Sequence, residues 1–132
     1  MNVKVVELEV EPFGQAIDVF IGDDPDKIKT YIDENYDLRE RLDIDNDITD
    51  GTFYFATSDQ GIYRFICLKE FSQRSINNLQ NFIHEAFHAV HHILKQVQVK
   101  TKDPHDELTA YLLDCLLGKF LTKIRNKDYK KI

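Results

Sequence analysis

The sequence has little of several features that would place a protein in a class at once. Its 132 residues include no tryptophan and two cysteines, and neither Cys67 nor Cys115 has the spacing of a cysteine zinc site. No apolar run is long enough to cross a bilayer, and the opening "MNVKVVELEV" alternates where a signal peptide would be continuously apolar. We therefore expect a cytoplasmic protein with no membrane partner.

Glycine and proline are also scarce, with five and three residues, and no linker or internal repeat separates the chain into parts. This predicts a single domain over 1–132, with strands and a helix in 1–50 and a hairpin with a two-helix core in 51–125. Acidic residues outnumber basic ones by 23 to 17. This balance argues against a dedicated nucleic-acid binder, and no oligomeric state is indicated.

Two hairpins and a short helix are predicted in the first part of the chain. "VKVVELEV" alternates, and "AIDVFIG" follows it after the turn residues "EPFGQ", which predicts a hairpin. Asp24 followed by Pro25 is a helix start signal, and about ten to twelve helical residues should follow. "TFYFAT" and "IYRFICLKEF" are aromatic and β-branched, and "SDQG" between them predicts a second hairpin.

Two longer helices are predicted in the remainder. Ser75 can cap a helix that runs from about Ile76 to Gln98, and Asp103 can cap a last helix that reaches about Arg125. Strands and helices are therefore segregated along the chain. This predicts an α+β fold in which a small antiparallel or mixed sheet packs on the two helices.

The stretch "NFIHEAFHAVHH" holds four of the five histidines of the chain. On a helix, His84 and His88 lie one turn apart on a shared face, where two imidazoles can bind one metal ion. Glu85 lies beside the pair in the spacing HExxH, in which the imidazoles bind zinc and the glutamate takes a proton from water. The pattern predicts His84 and His88 as zinc ligands and Glu85 as general base.

A helical projection at 100° per residue separates this polar face from the predicted core face. Glu85 and the two ligand histidines fall off the core in this projection. The predicted core face is an apolar arc formed by Leu79, Ile83, Ala86, Phe87, Val90, Leu94 and Val97.

A catalytic zinc site needs a third protein ligand and one open position. The extended metzincin pattern does not fit, because position 91 is His rather than Gly and position 94 is Leu rather than His. Glu107 lies 19 residues after His88, near the start of the last helix, and an antiparallel helix pair could place it beside the histidines. The alternative is that Glu107 only favours a helix N-terminus.

Five further polar residues are weaker candidates. His91 and His92 could support the ligands or contact substrate, or they could be exposed polar residues on the wet side of the helix. His105 could donate to a developing oxyanion, or it could be a solvent residue near a helix start. Tyr111 and Asp114 fall on the same side of the last helix as Glu107, so that face could line the site.

These residues resemble the gluzincin metallopeptidases, the thermolysin-like group with HExxH on one helix and a glutamate ligand on the next. "HEAFH" followed by "DELTAYL" is similar to the minimal single-domain members, among them small phage- and prophage-type predicted peptidases and ImmA/IrrE-like domains. The resemblance covers about residues 52–125. It implies a zincin-like fold, Zn2+ as cofactor and a peptide or protein substrate. The implied ligands are His84, His88 and Glu107, with Glu85 as general base.

The resemblance also implies a place for the substrate and reveals departures from the group. In such folds the strand before the active helix often pairs with an extended substrate, and "IYRFICLKEF" holds that place here. The group has an aspartate four residues after the glutamate ligand to orient a histidine. Position 111 is Tyr, so that support is either missing or supplied elsewhere, with Asp114 as a candidate. The larger enzymes add a second domain with an oxyanion-stabilising His or Tyr, which is not expected within these 132 residues.

Three functions remain open from the residues. The first is a zinc-dependent peptidase. The second is a non-catalytic zinc-binding protein of the same fold that acts as a regulatory or protein-interaction module. The third is a helical domain without metal, in which the HExxH spacing is accidental.

Overall fold

The computed structural model describes residues 2–48, 50–97 and 107–132. Strands and helices follow one another in the predicted α+β order, and that class is confirmed. The elements are β1 (Lys4–Val10), β2 (Gln15–Ile21), α1 (Pro25–Asn35), β3 (Gly51–Ser58), β4 (Gly61–Leu68), α2 (Ile76–Gln96), α3 (Glu107–Arg125) and β5 (Lys130–Lys131).

The five strands form one mixed sheet in the order β3-β4-β2-β1-β5. β1 pairs with β2 and β3 pairs with β4, both antiparallel, so the two predicted hairpins are confirmed. β2 and β4 run parallel, which places β4 in the sheet interior. The strand "IYRFICLKEF" is therefore paired on both sides, and the expectation that it offers an edge to a substrate is wrong. β3 holds the sheet edge instead.

The alternation of the strands separates two apolar clusters, one on each face of the sheet. On β4, Ile66 and Leu68 face α2 and α3, whereas Phe65 and Cys67 face α1 and the connection that follows it. Because both faces are covered, the strand reads as a nearly continuous apolar run. Arg64 shares the face of Ile66 and Leu68 and is 1% exposed, so a charged residue occupies a core-facing position beneath α2.

The predicted helix starts of α1 and α2 are confirmed at the level of their caps. Asp24 accepts a hydrogen bond from the backbone N–H of Lys27 at 3.1 Å, and Ser75 accepts one from that of Asn78 at 3.2 Å. α1 has 11 residues, as expected. The proposed cap of α3 at Asp103 lies outside the described residues, and the helix ends at the predicted Arg125.

The buried face of α2 is rotated by roughly 65° from the predicted arc. Ile83 and Phe87, expected in the core, are 41% and 44% exposed. The buried residues are Phe82, Glu85, Ala86, Ala89, Val90, Ile93 and Leu94. The rotation follows from the tertiary contacts, because α2 has to contact the sheet on one side and α3 on the other.

α2 and α3 run antiparallel. The rings of Phe82 and Phe120 stack with their centroids 4.0 Å apart and 10° between their planes. The side-chain amide of Gln73, just before α2, donates to the carbonyl of Leu121 at 3.5 Å. Both contacts place the beginning of α2 beside the later half of α3. Within the described ranges, neither these helices nor α1 combine the length and apolar character of a membrane span.

Candidate metal centre

The two histidines of the HExxH spacing meet at their ring nitrogens. His84 Nε2 and His88 Nε2 lie 3.2 Å apart, and the ring planes are inclined at 84°. Both side chains are solvent-accessible, with that of His84 70% exposed. They project from the middle of a 21-residue helix, where the backbone N–H and C=O groups are both engaged in helical hydrogen bonds.

This nitrogen separation suits a shared metal ion. Two nitrogens that each bind one zinc ion at about 2.0–2.1 Å in tetrahedral geometry lie about 3.4 Å apart. The observed 3.2 Å between His84 and His88 is close to that value. Imidazole nitrogen is also the ligand type that zinc favours in proteins. The pair could therefore hold an ion with little rearrangement of either ring.

Glu85 is the third residue of the group. Its carboxylate Oε1 lies 3.7 Å from His84 Nε2, and one ligand atom from each of the three residues lies within 4.8 Å of the others. Glu85 is 6% exposed, so the expectation that it lies off the core is wrong. A β-carbon on Gly51, at the start of β3, would be only 3.2 Å from Glu85 Cγ. The glutamate is therefore enclosed between α2 and the edge strand.

The environment of Glu85 also affects a thiol in β4. Burial, and to a smaller extent the negative charge of Glu85, raise the pKa of Cys67 to about 12. A thiol with so high a pKa carries almost no thiolate near neutral pH, and the thiolate is the nucleophilic form. Cysteine chemistry is thereby disfavoured at Cys67, whose side chain faces α1 on the other side of the sheet.

His92 belongs to a partly buried polar network around Arg64 that was not predicted from the sequence. Arg64 Nε donates to His92 Nδ1 at 2.9 Å, and Arg64 Nη1 donates to Gln15 Oε1 at 2.6 Å. Arg64 Nη2 donates to Gln96 Oε1. The sequence does contain a signal for this network, because Arg64 alternates in step with the apolar Ile66 and Leu68 in "RFICL" and so falls on their face of the strand. Desolvation, followed by the charges of Arg64 and Lys95, lowers the pKa of His92.

His91 and His92 point to different sides of α2. The ring of His92 stacks on Phe55 with centroids 4.2 Å apart and meets Phe53 edge-on at 5.8 Å, so it lies against the edge strand. His91 is exposed, and its ring lies 6.1 Å from that of Phe87 on the opposite flank. Of the two, His92 is the one held beside β3.

The three α3 candidates, Glu107, Tyr111 and Asp114, are exposed and lie outside the His84–Glu85–His88 group. Glu107 precedes Phe120 by thirteen residues, about 20 Å along α3, and His88 follows Phe82 by six, about 9 Å along α2. Phe82 and Phe120 lie side by side, and the helices are antiparallel, so both distances run in the same direction from this contact. Glu107 therefore lies about 10 Å beyond His88 along the helix axes.

The remaining candidates of this region stand as follows. Tyr111 is hydrogen-bonded to Cys115, which raises the pKa of its phenol. Its partner is thus one turn further along α3 rather than a histidine of α2. His105 lies outside the described residues. The role of Glu107 as third ligand stays a prediction.

Comparison with known proteins adds no relative. The chain matches no protein-family model, no curated protein and no solved structure. The chemistry of the site therefore has to follow from the residues of this chain.

Proposed function

We propose that this protein is a zinc-dependent metallopeptidase with a zincin-like domain, which hydrolyses a peptide bond with Glu85 as general base. The observation that carries the proposal is the group formed by His84, Glu85 and His88, whose ligand atoms lie within 4.8 Å of one another. An α+β domain with the HExxH helix packed on a sheet, one edge of which lies beside the group, supports the same proposal.

Each residue of the group has a distinct role in this chemistry. His84 and His88 would hold the ion through Nε2, and Glu107 is the proposed third ligand. Zinc, when bound, would supply a Lewis acid that polarises the peptide carbonyl and acidifies water. Glu85 would accept the proton of the attacking water at a carboxylate oxygen and pass it to the leaving amine. Its enclosure beside Gly51 limits the positions that this oxygen can take.

The edge strand β3 is the proposed site for the peptide. A peptide in extended conformation can add to an exposed sheet edge through backbone hydrogen bonds. Arg39 N–H donates to the carbonyl of Thr57, and Leu38 forms a bridge with Ser58, so the end of β3 is already paired. For the earlier part of β3, the described ranges contain no pairing partner on the outer side. That part lies beside Glu85.

The alternative is a zinc-binding protein without catalysis, acting as a regulatory or protein-interaction module. The observation that favours it is the position of Glu107, exposed on α3 and outside the group. A site with two imidazoles and a nearby Glu85 could bind zinc without the arrangement of three ligands and one open position that catalytic sites have.

The two functions are separated by metal analysis together with peptide cleavage. Purified wild-type protein, supplied with zinc and dialysed, should retain about one zinc per chain and cleave members of a mixed peptide library, followed by mass spectrometry. Glu85→Gln should retain the zinc and lose cleavage, because the amide cannot accept the proton. Equal cleavage by wild type and Glu85→Gln would contradict the peptidase, and zinc retention without cleavage by wild type would favour the alternative.

The third ligand is tested by comparing zinc affinity in Glu107→Gln and Asp114→Asn. Loss of a direct ligand should weaken binding by more than the roughly 10- to 100-fold typical of an outer-shell partner. We expect that loss for Glu107→Gln and a smaller effect for Asp114→Asn. The reverse order would transfer the role to Asp114, and two unchanged affinities would remove α3 from the site.

A further inference from the structure

Arg64 is a buried cation that is hydrogen-bonded to neutral acceptors. Its side chain reaches His92, Gln15 and Gln96, and among the described residues no carboxylate forms a salt bridge with it. Burying a charge is costly unless it is well hydrogen-bonded, so the three acceptors are what make this position tolerable. Packing alone does not explain why an arginine occupies this position, since an apolar side chain would suit the neighbours Ile66 and Leu68.

The contact with His92 determines which ring nitrogen carries the proton. A guanidinium N–H can only donate, so His92 Nδ1, 2.9 Å from Arg64 Nε, has to offer its lone pair. The proton of the neutral ring is then on Nε2. If Nδ1 were protonated as well, its N–H would point at the N–H of Arg64 Nε with no acceptor between them. Arg64 therefore keeps the ring in a single tautomer, with Nε2–H as a donor.

The ring is also fixed in place. It stacks on Phe55 at 4.2 Å and contacts Phe53 edge-on, so the edge strand holds one side of it. His92 follows His88 by one helical turn, and the two differ by only about 40° around α2. The imidazole thus lies against the edge strand, one helical turn beyond His88, on the side of α2 where the proposed peptide would run.

We propose that His92 donates its Nε2–H to the carbonyl oxygen of the peptide as negative charge develops there, and that Arg64 is the positioning residue that fixes this donor. This rests on the proposed function, because it deepens the role of the same site. A donor fixed before reaction stabilises a developing oxyanion without reorganisation.

The tautomer is tested first, and without metal. Proteins labelled with 15N on histidine give long-range proton–nitrogen spectra that distinguish the two ring nitrogens. At pH 7.5, His92 of the wild type should show a protonated Nε2 and an unprotonated Nδ1. In Arg64→Met, which keeps an apolar stem and removes the donors, this preference should become a mixture of tautomers. A wild-type spectrum with protonated Nδ1 would overturn the proposal.

The donor role is tested with a small probe that brings a polar oxygen to the metal. Cobalt(II) is loaded in place of zinc, and its visible spectrum is titrated with acetohydroxamate. His92→Phe keeps a ring against Phe55 but removes the donor, and it should weaken acetohydroxamate binding by about three- to tenfold. His92→Gln retains an N–H and should recover part of that loss. His91→Phe, a matched change on the opposite flank of α2, should bind as wild type does.

The outcomes separate this proposal from the one on which it rests. If wild-type protein binds no cobalt, the metal site itself fails and the role of His92 fails with it. If cobalt binds and His92→Phe keeps the wild-type affinity for acetohydroxamate, only the donor role is overturned. Should Arg64→Met not fold, the wild-type spectrum and the His92 variants still decide both parts.

Discussion

Gly51 and Glu85 face each other across the gap between the edge strand and the HExxH helix, with no room for a further carbon atom between them at ordinary contact distance. A β-carbon at Gly51 would lie 3.2 Å from Glu85 Cγ and also 3.2 Å from Leu68 Cδ2. Both distances are shorter than ordinary van der Waals contact between carbon atoms. The absence of a side chain on Gly51 is therefore what allows the carboxylate of Glu85 to lie under β3, close to His84.

Gly51→Ala should consequently destabilise the protein by about 1 kcal/mol, as expected for an extra methyl group in a closely packed place. Gly118→Ala is the matched control. Gly118 lies inside α3, and a β-carbon there meets nothing within 4 Å, so it should stabilise by about 0.5–1 kcal/mol. Urea denaturation of both variants gives the comparison. Stabilisation by Gly51→Ala would show that Glu85 and Leu68 move aside freely.

The rotated face of α2 predicts very different losses of stability when two phenylalanines of the same helix are replaced. Phe82 is buried and stacks on Phe120, whereas Phe87 is 44% exposed. Phe82→Ala should cost about 3–5 kcal/mol, because it leaves a cavity between α2 and α3. Phe87→Ala should cost less than about 1 kcal/mol. Similar losses in thermal and urea unfolding would contradict the observed orientation of α2.

The same helix shows what a sequence can and cannot predict. Ser75 as cap and the facing of His84 and His88 follow from local chain geometry, so the pattern was sufficient for them. The burial of Glu85 depends on where β3 passes, which is set by the pairing of strands distant in sequence. Apolar residues occur around much of α2, so periodicity alone could not decide between Phe82 and Phe87 as the core residue.

The strand β5 and the acceptors of Arg64 also depend on contacts between residues that are distant in sequence. β5 consists of the exposed Lys130 and Lys131, which pair with Lys4 and Val5 of β1 and show no apolar alternation that would predict a strand. Arg64 is different, because its in-phase position in β4 did indicate a core-facing side chain. Its acceptors come from β2 and α2, and only the folded arrangement brings them together.

Zinc should stabilise the protein, and this gain should depend on the histidine pair. With free zinc at 100 times the dissociation constant, binding should raise the free energy of unfolding by about 2.7 kcal/mol. His84→Ala should abolish this gain but change the stability of the metal-free protein by less than about 0.5 kcal/mol, because the side chain is 70% exposed.

His91→Ala provides the control for that measurement, since His91 is exposed on the same helix but is not one of the three residues of the His84–Glu85–His88 group. Thermal unfolding with and without zinc should show the full stabilisation in this variant. An equal loss of the zinc effect in His84→Ala and His91→Ala would mean that the ion binds elsewhere among the histidines.

A second buried carboxyl group lies on the other face of the sheet, away from the histidines. Asp18 of β2 accepts a hydrogen bond from the hydroxyl of Tyr36. Burial and then the charge of Glu7, its register partner on β1, raise the pKa of Asp18 from 3.8 to about 7, while Lys130 acts in the opposite direction. The folded protein therefore holds a proton on Asp18 that the unfolded chain would release in mildly acidic solution.

The sign of the resulting pH dependence follows from this difference. Because the folded-state pKa is the higher one, the favourable contribution is complete below about pH 4 and is lost as the pH rises to about 7. Asp18→Asn cannot ionise, and its amide oxygen can still accept from Tyr36. The variant should match wild type near pH 4 and exceed it by a few kcal/mol at pH 8 in urea denaturation.

Asp33→Asn, the same substitution at an exposed position of α1, is the control for the loss of one surface carboxylate. Its stability should stay close to that of wild type, because substitutions of exposed side chains usually change stability by less than about 0.5 kcal/mol. The decisive quantity is the difference between Asp18→Asn and wild type, plotted from pH 4 to pH 8. A difference that stays constant over this range would mean that Asp18 remains ionised beneath Tyr36. A difference that grows up to about pH 7 and then levels off would identify Asp18 as the titrating group.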